Sequence, residues 1–463
     1  MEQFEHILRE IKDMIWGLPL LFLLLGTGAY LTIILKGVQF RYLGYAIKQV
    51  FAKQRANSEG DISHFEALMT SLAGAIGTGA IVGVATALTV GGLGSLFWMW
   101  ITAFLGMATK YAESLLAVKY RELDARGEMI GGPMQYIERG LGWKWMAAVF
   151  AILGAIAAIC TGNLVQSNSI AEAISETLAT DTWTTGIVLA VITGLVIMGG
   201  VKSIGHVAGV LVPVMAIFYI VGGLIIIVIN YDRIPEAIKL IFVSAFNGQA
   251  AIGGFTGATI MMALQWGVSR SVFSNEAGLG ISSIAAAAAK TDSPGRQAMI
   301  TMTGALLSTV VVCSITGLVL AVTSVVGTTT ESGRVLNGAA LAMRAFNTIP
   351  GGMYIVSIGL ILFAFSTIIA WAYYGEKCFE YLFGTRSVMF YRFLFTALVI
   401  PGAALKIEMV WDLADISNGL MVIPNLIALL GLSGVIVSET KTFLASIERD
   451  NLAEEIAYIK KES

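Results

Sequence analysis

The sequence predicts an all-α polytopic membrane protein with eleven transmembrane helices. Three observations carry that reading. Only 13% of the 463 residues are charged, about half the share in soluble globular chains. Hydrophobic residues make up 56% of the chain and the mean hydropathy is +0.79. Stretch after stretch free of Asp, Glu, Lys and Arg is long enough to cross a hydrocarbon core, which takes about 20 apolar residues. These numbers exclude a disordered chain and a soluble multidomain enzyme. A formal charge of −2 leaves no basic footprint for nucleic acid. The expected surroundings are a lipid bilayer.

The spans follow in order. Met14 to Leu35 is the first, too long and without a small-residue cleavage site for a signal peptide. Ala67 to Thr109 holds the second and third, turning at Gly91-Gly92-Leu93-Gly94. Trp145 to Ala171, Thr182 to Val201 and Ser203 to Tyr231 are the next three. The seventh runs from Leu240 to Ser269 and on past Arg270 and Glu276 to Ala289. Gln297 to Thr330, Ala345 to Gly375, Ser387 to Leu405 (interrupted by Arg392) and Ile416 to Ser438 complete the set.

An odd count puts the termini on opposite sides. With the N-terminus outside, twenty Lys and Arg fall on the cytoplasmic side and seven outside, as the positive-inside rule requires. The charged stretch from Glu439 to Ser463 reads as a solvated cytoplasmic tail, lying along the membrane surface.

Two spans are irregular. The second contains Gly74, Gly77 and Gly79 within six residues, each weakening a helix by about 1 kcal/mol relative to Ala. Either the glycines let helices pack closely, or the helix is broken and its free backbone groups line a cavity. The seventh places Arg270, Asn275 and Glu276 inside an apolar run. A charge at the centre of a span costs about 2.5–3.5 kcal/mol. A structural ion pair between helices and a functional site both account for it.

The irregular spans lie five apart, so spans two to six and seven to eleven form two sets of five. An odd repeat length inserts the second copy inverted. Discontinuous helices at matching positions of inverted halves point to a secondary-transporter site. The expected organisation is an extra helix and loop over 1–65, repeats over 66–231 and 232–438, and a tail over 439–463.

Cys160, Cys313 and Cys378 form no C-x-x-C pair, and His6, His64 and His206 are scattered. No metal or disulfide framework is indicated, no intramembrane enzyme cluster appears, and no repeated channel filter is present. No cofactor is expected.

Gly91 to Trp100, which ends Ser-Leu-Phe-Trp-Met-Trp, and Gly106-Met107-Ala108-Thr109-Lys110-Tyr111 closely resemble the signature of the alanine or glycine:cation symporter family. Gly131-Gly132-Pro133-Met134 and Phe273-Ser274-Asn275-Glu276-Ala277-Gly278 are similar to further family blocks. The resemblance spans nearly the whole chain. Ser95 and Ala80 depart from the pattern, where Gly or Ala and often Asn are expected.

The resemblance implies a leucine-transporter-like fold of the amino acid–polyamine–cation superfamily and a plasma-membrane location. It implies uptake of small neutral amino acids, alanine or glycine, driven by sodium, with proton coupling on the same fold as the alternative. By the motif match, the amides of Thr78 and Gly79 hold the substrate carboxylate. The carbonyls of Ala75, Phe273 and Ser274 receive its ammonium. Sodium lies between the carbonyls of Ala73 and Ile76 and the hydroxyls of Ser366 and Thr367. Without the resemblance, Ser366 and Thr367 read as hydroxyls bonded to their own helix.

Four further polar groups lie in the fourth span: Thr161, Asn163, Gln166 and Asn168. Packing between helices accounts for such groups; as a substrate-bonding amide, Asn168 is favoured, with Asn163 behind it. Glu276 attracts the ammonium or pairs with Arg270. Trp371, four residues after Thr367, caps a small pocket or anchors the helix at the interface. Lys110 and Glu113, three apart, read as a structural pair.

Overall fold

The computed structural model describes residues 2–53, 58–247, 259–329, 333, 335–405 and 407–462. The chain is helical almost throughout; a two-stranded hairpin, β1 (Glu122–Leu123) and β2 (Met129–Ile130), is the one sheet among the described residues. Helices α1 (Glu2–Ile15) and α2 (Leu18–Ile34) precede α3 (His64–Ala75), α4 (Val82–Gly91) and α5 (Gly94–Lys119). Next come α6 (Lys144–Leu178), α7 (Thr182–Ile197) and α8 (Gly200–Ile229). The second half contains α9 (Ile260–Asn275), α10 (Ser283–Ala287), α11 (Pro294–Val322), α12 (Gly352–Phe383), α13 (Val388–Ala404), α14 (Ile407–Gly431) and α15 (Ser433–Glu462).

Among the described residues, seven helices are long and apolar enough to cross a membrane. They are His6–Ile34, Lys144–Leu178, Gly200–Ile229, Pro294–Val322, Gly352–Phe383, Thr385–Ala404 and Met409–Gly431. The other four expected spans fall on α3 with α4, on α5, on α7 and on α9 with α10.

Several boundaries differ from the sequence reading. The seventh span does not begin at Leu240: Ile234–Asn247 is a separate helix, and α9 starts at Ile260. Residues 248–258, within that expected span, lie outside the described residues, as do Thr330 and the loop cations Arg55, Arg334 and Lys406. Helix α5 runs ten residues past Thr109 and carries Lys110 and Glu113 inside the protein. The tail is not simply solvated. Phe443 and Ile447 are buried, Phe443 seats against Gly295, and Tyr111 donates to the Thr440 hydroxyl at 3.1 Å.

Burial explains which helices carry the site. Every residue from 67 to 85 and from 267 to 289 is buried. By contrast Leu195, Val210 and Ile217 are 75%, 61% and 63% exposed, so α7 and α8 present apolar faces outward, as lipid contact requires. The start of α3 is fixed by a capping box. The Ser63 hydroxyl accepts from the Glu66 amide at 3.1 Å, and the Glu66 carboxylate accepts from the Ser63 amide at 2.8 Å.

At one end of the molecule, Arg121 donates to the carbonyls of Ala287, Ala289 and Glu59 at 3.0, 2.8 and 2.8 Å. Beside it, Lys377 sits among Glu128, Glu380 and Asp124 at 3.1, 3.1 and 3.7 Å. Burial raises the Asp124 carboxyl, but the amides of Glu128 and Arg126, the Glu380 side chain and the Lys377 charge together outweigh that and hold it below the usual range.

Candidate functional site

The first interruption follows from its glycines. Helix α3 stops at Ala75; Ile76 leaves helical geometry, Gly77 is extended, and Thr78–Ala80 form one tight turn before α4. Gly77 also permits a close approach. A β-carbon there would lie 2.5 Å from the Thr367 hydroxyl oxygen and 3.2 Å from Gln166 Oε1. The chain therefore reaches α6 and α12 with bare backbone.

The second interruption is built differently. Helix α9 ends at Asn275, and Glu276 takes a left-handed conformation at φ 59°. Gly278 and Gly280 follow at φ 91° and 76°, a region that favours glycine. One oxygen of Glu113 on α5 accepts from the amides of Gly278 and Gly280 at 2.9 and 3.1 Å and from the Asn425 side chain at 2.8 Å. One oxygen of a buried carboxylate, accepting from two main-chain amides, thus ties the unwound segment to α5.

The two interruptions face each other. A β-carbon on Gly74 would lie 2.9 Å from Glu276 Oε1, and one on Gly79 would lie 2.6 Å from the Phe273 ring. Helix α12 reads the last turn of α3: Thr367 and Ser366 donate to the Ala73 carbonyl at 2.8 and 3.4 Å. Trp371 donates to the Gly74 carbonyl at 3.3 Å and Tyr374 to the Thr70 carbonyl at 3.1 Å. Each hydroxyl has a single proton, and the Phe363 carbonyl is its alternative acceptor, at 2.8 Å from Ser366 and 3.0 Å from Thr367.

Ala73, Ser366 and Thr367 are thus brought together, with Ile76 one turn on. Ala75, Thr78 and Gly79 form the first interruption, and Phe273, Ser274 and Glu276 the second. The Ser274 hydroxyl lies 2.9 Å from the Cys313 sulfur. Trp371 is buried beside them. Asn168 is not brought to this centre: its amide donates to the carbonyls of Leu405 and Gly402 at 2.6 and 3.4 Å. The amide that reaches the first interruption is Gln166, which accepts from the Thr78 amide at 3.2 Å and donates to the Thr161 carbonyl at 3.0 Å.

Two expected pairings are corrected. Arg270 does not pair with Glu276; its partner is Asp415 on α14. The Arg270 guanidinium also lies 5.1 Å from the rings of Trp266 and Trp411, and aromatic faces hold a cation of this kind. Lys110 and Glu113 are not joined by a direct hydrogen bond. Lys110 donates to the Ser71 hydroxyl at 3.4 Å, and Glu113 serves the second interruption. Neither carboxylate oxygen of Glu276 makes a hydrogen bond among the described residues; the nearby Trp371 N–H is directed at Gly74 instead.

Two helices broken at the buried centre of a helical bundle, each exposing amides and carbonyls there, define a multi-pass secondary transporter of the leucine-transporter fold. The chain aligns with MhsT in complex with L-phenylalanine at a TM-score of 0.60 and 14% identity, covering 83% of this chain and 93% of that one. That likeness shows the fold. The chain belongs to the sodium:alanine symporter family, whose model matches residues 1–457; it is a transporter, not an enzyme. It is 53% identical over 447 residues to the sodium/alanine symporter AgcS of Methanococcus maripaludis, covering 95% of this chain and 97% of the relative. It is 50% identical over 445 residues to an uncharacterized transporter of Haemophilus influenzae, covering 96% and 97%.

Proposed function

We propose that the protein takes up alanine and glycine together with sodium by alternating access. A zwitterion needs one surface for its carboxylate and another for its ammonium. Helix interruptions supply both, because amides are left over where a helix begins and carbonyls where one ends. In this reading the amides of Thr78 and Gly79 take the carboxylate. The carbonyls of Ala75, Phe273 and Ser274, with Glu276, take the ammonium. Gln166 replaces Asn168 as the orienting amide, and Trp371 closes the pocket against Gly74.

Sodium takes the carbonyls of Ala73 and Ile76 and the hydroxyls of Ser366 and Thr367. Neutral oxygens suit a weakly held monovalent ion that must also leave. Its coupling role is mechanical. A cation between α3 and α12 fixes one side of the interruption whose other side carries the substrate amides. The resulting linkage is reciprocal.

The observation that carries this reading is the convergence of Thr367 and Ser366 on the Ala73 carbonyl, five residues before Thr78. The surrounding topology is eleven crossings in the plasma membrane, with the N-terminus outside and the C-terminus in the cytoplasm. Its support is the excess of Lys and Arg on alternate loops.

Purified protein in liposomes tests the function. Radiolabelled alanine accumulates under an inward sodium gradient and stops when potassium replaces sodium. A second reading, proton coupling on the same fold, draws on the buried carboxylate of Glu276. Accumulation driven by a proton gradient in sodium-free buffer would select it.

A further inference from the structure

We infer that Thr316 and Tyr219 are positioning residues for the substrate carboxylate, acting through the first interruption. The Thr316 hydroxyl on α11 donates to the Ala80 carbonyl at 2.8 Å. Its alternative acceptor, the Val312 carbonyl of its own helix, is farther away at 3.4 Å. The hydroxyls of Thr316 and of Tyr219 on α8 lie 2.8 Å apart. A hydroxyl has a single proton to give. With the Thr316 proton on Ala80, it is Tyr219 that donates to Thr316. The relay runs from Tyr219 through Thr316 to the main chain, and all three residues are buried.

The relay ends on the turn that carries the substrate amides. Thr78–Ala80 is a single tight turn. It is closed by the Ala80 amide on the Gly77 carbonyl at 3.1 Å and the Ile81 amide on the Thr78 carbonyl at 3.2 Å. Hydrogen bonds in such turns have poorer geometry than those of an α-helix, so neighbours must set the direction of the turn. Gln166 grips its first amide, and Thr316 grips its last carbonyl. Donors aimed at a ligand have to be held within about 0.5 Å of their working positions by groups that are themselves locked. Tyr219 is locked: its ring stacks on Phe346 with centroids 5.4 Å apart and lies 5.3 Å from the ring of Phe363.

Helix α11 also reaches the second interruption. The Thr309 hydroxyl accepts from the Asn275 side chain at 3.2 Å, and the Cys313 sulfur lies beside the Ser274 hydroxyl. One helix thereby ties the carboxylate side of the pocket to its ammonium side. The sodium ligands are held elsewhere, by α12 on the Ala73 carbonyl at the opposite end of the first interruption. Thr316 and Tyr219 therefore serve the substrate and not the cation. These roles rest on the sodium–alanine reading; the relay itself does not.

Two binding measurements on the detergent-purified full chain test the relay. Radiolabelled alanine at saturating sodium gives the alanine Kd. The rise in unfolding midpoint with sodium alone, in the absence of alanine, reads the cation site. Thr316→Val is expected to raise the alanine Kd at least about ten-fold, while the sodium concentration for half the midpoint rise stays within about two-fold of wild type. Thr316→Ser keeps the hydroxyl and should match wild type in both. Tyr219→Phe should raise the alanine Kd about three-fold. A purely structural role would weaken both ligands alike or lower only the midpoint, and either result overturns the inference. So does a Thr316→Ser variant as impaired as Thr316→Val. Should Thr316→Val fail to fold, Tyr219→Phe carries the test, and wild-type alanine affinity there overturns the relay. Wild type that binds no alanine at any sodium concentration would overturn the sodium–alanine reading and the relay's role with it. Wild-type binding with an unchanged Kd in folded Thr316→Val would overturn the relay alone.

Discussion

The hydroxyl of Thr367 donates to the carbonyl oxygen of Ala73 at 2.8 Å, joining residues 294 positions apart. The carbonyl belongs to the last turn of α3, where no amide four residues on remains in helical register to claim it. One side chain from the second half of the chain thereby holds the end of the first broken helix.

Removing that hydroxyl should weaken sodium more than alanine. For Thr367→Ala we expect the sodium concentration for half-maximal uptake to rise at least about ten-fold, equivalent to about 1.4 kcal/mol. Thr367→Ser should stay within a few-fold of wild type. Uptake into liposomes at varied sodium and fixed alanine reads both. A Thr367→Ala variant with unchanged sodium dependence would remove this residue from the cation site.

Gly77 leaves no room for a side chain. In Gly77→Ala the new methyl group would meet Thr367 and Gln166, and overpacking of this kind costs about 1–3 kcal/mol. The variant should insert into the membrane and lose alanine uptake, with a lower unfolding midpoint. Normal uptake would mean that the backbone at Gly77 does not approach α12 this closely.

Gln166 and Asn168 should behave differently. Gln166 bonds the Thr78 amide, whereas Asn168 bonds the end of α13. Gln166→Ala is expected to raise the alanine concentration for half-maximal uptake about ten-fold or more. Asn168→Ala should leave that concentration nearly unchanged and cost about 1–3 kcal/mol of stability through the carbonyls it abandons. The reverse pattern would return the substrate contact to Asn168.

Arg270 and Asp415 form a buried ion pair. Removing one partner leaves the other charged and unpaired, at a cost of about 3–5 kcal/mol. Arg270→Gln and Asp415→Asn should each lower the unfolding midpoint substantially, and the double variant should recover part of the loss. Equal midpoints for all four proteins would show that the pair carries no stability.

Much of this architecture can be read along the chain. Charge-free stretches mark most of the long helices because lipid forbids unpaired charge. The glycine run at Gly74, Gly77 and Gly79 marks the first interruption because glycine both weakens a helix and admits close backbone approach. Resemblance to the family, rather than spacing, singles out Ser366 and Thr367.

What stayed hidden depends on helix phase and on distant partners. Gln166 and Asn168 differ by two positions, about 200° around a helix. Which of them faces the interruption depends on the wide turns of residues Ala158–Leu164, and such turns have no composition signal. Lys110 and Glu113 have the spacing of a helical pair, but the amides of Gly278 and Gly280 bind Glu113 instead. Arg270 finds its partner 145 residues away. The tail carries Ile436, Thr440, Phe443 and Ile447 at steps of three and four, a stripe that fits its packing on the bundle.

The most direct test of the account is the dependence of equilibrium alanine binding on sodium in the detergent-purified protein. If the α3 interruption holds sodium on the Ala73 side and alanine on the Thr78 side, saturating sodium should tighten alanine binding about ten-fold or more. Alanine should tighten sodium by the same factor, and potassium should do neither. Alanine affinity that is identical with and without sodium would contradict the account.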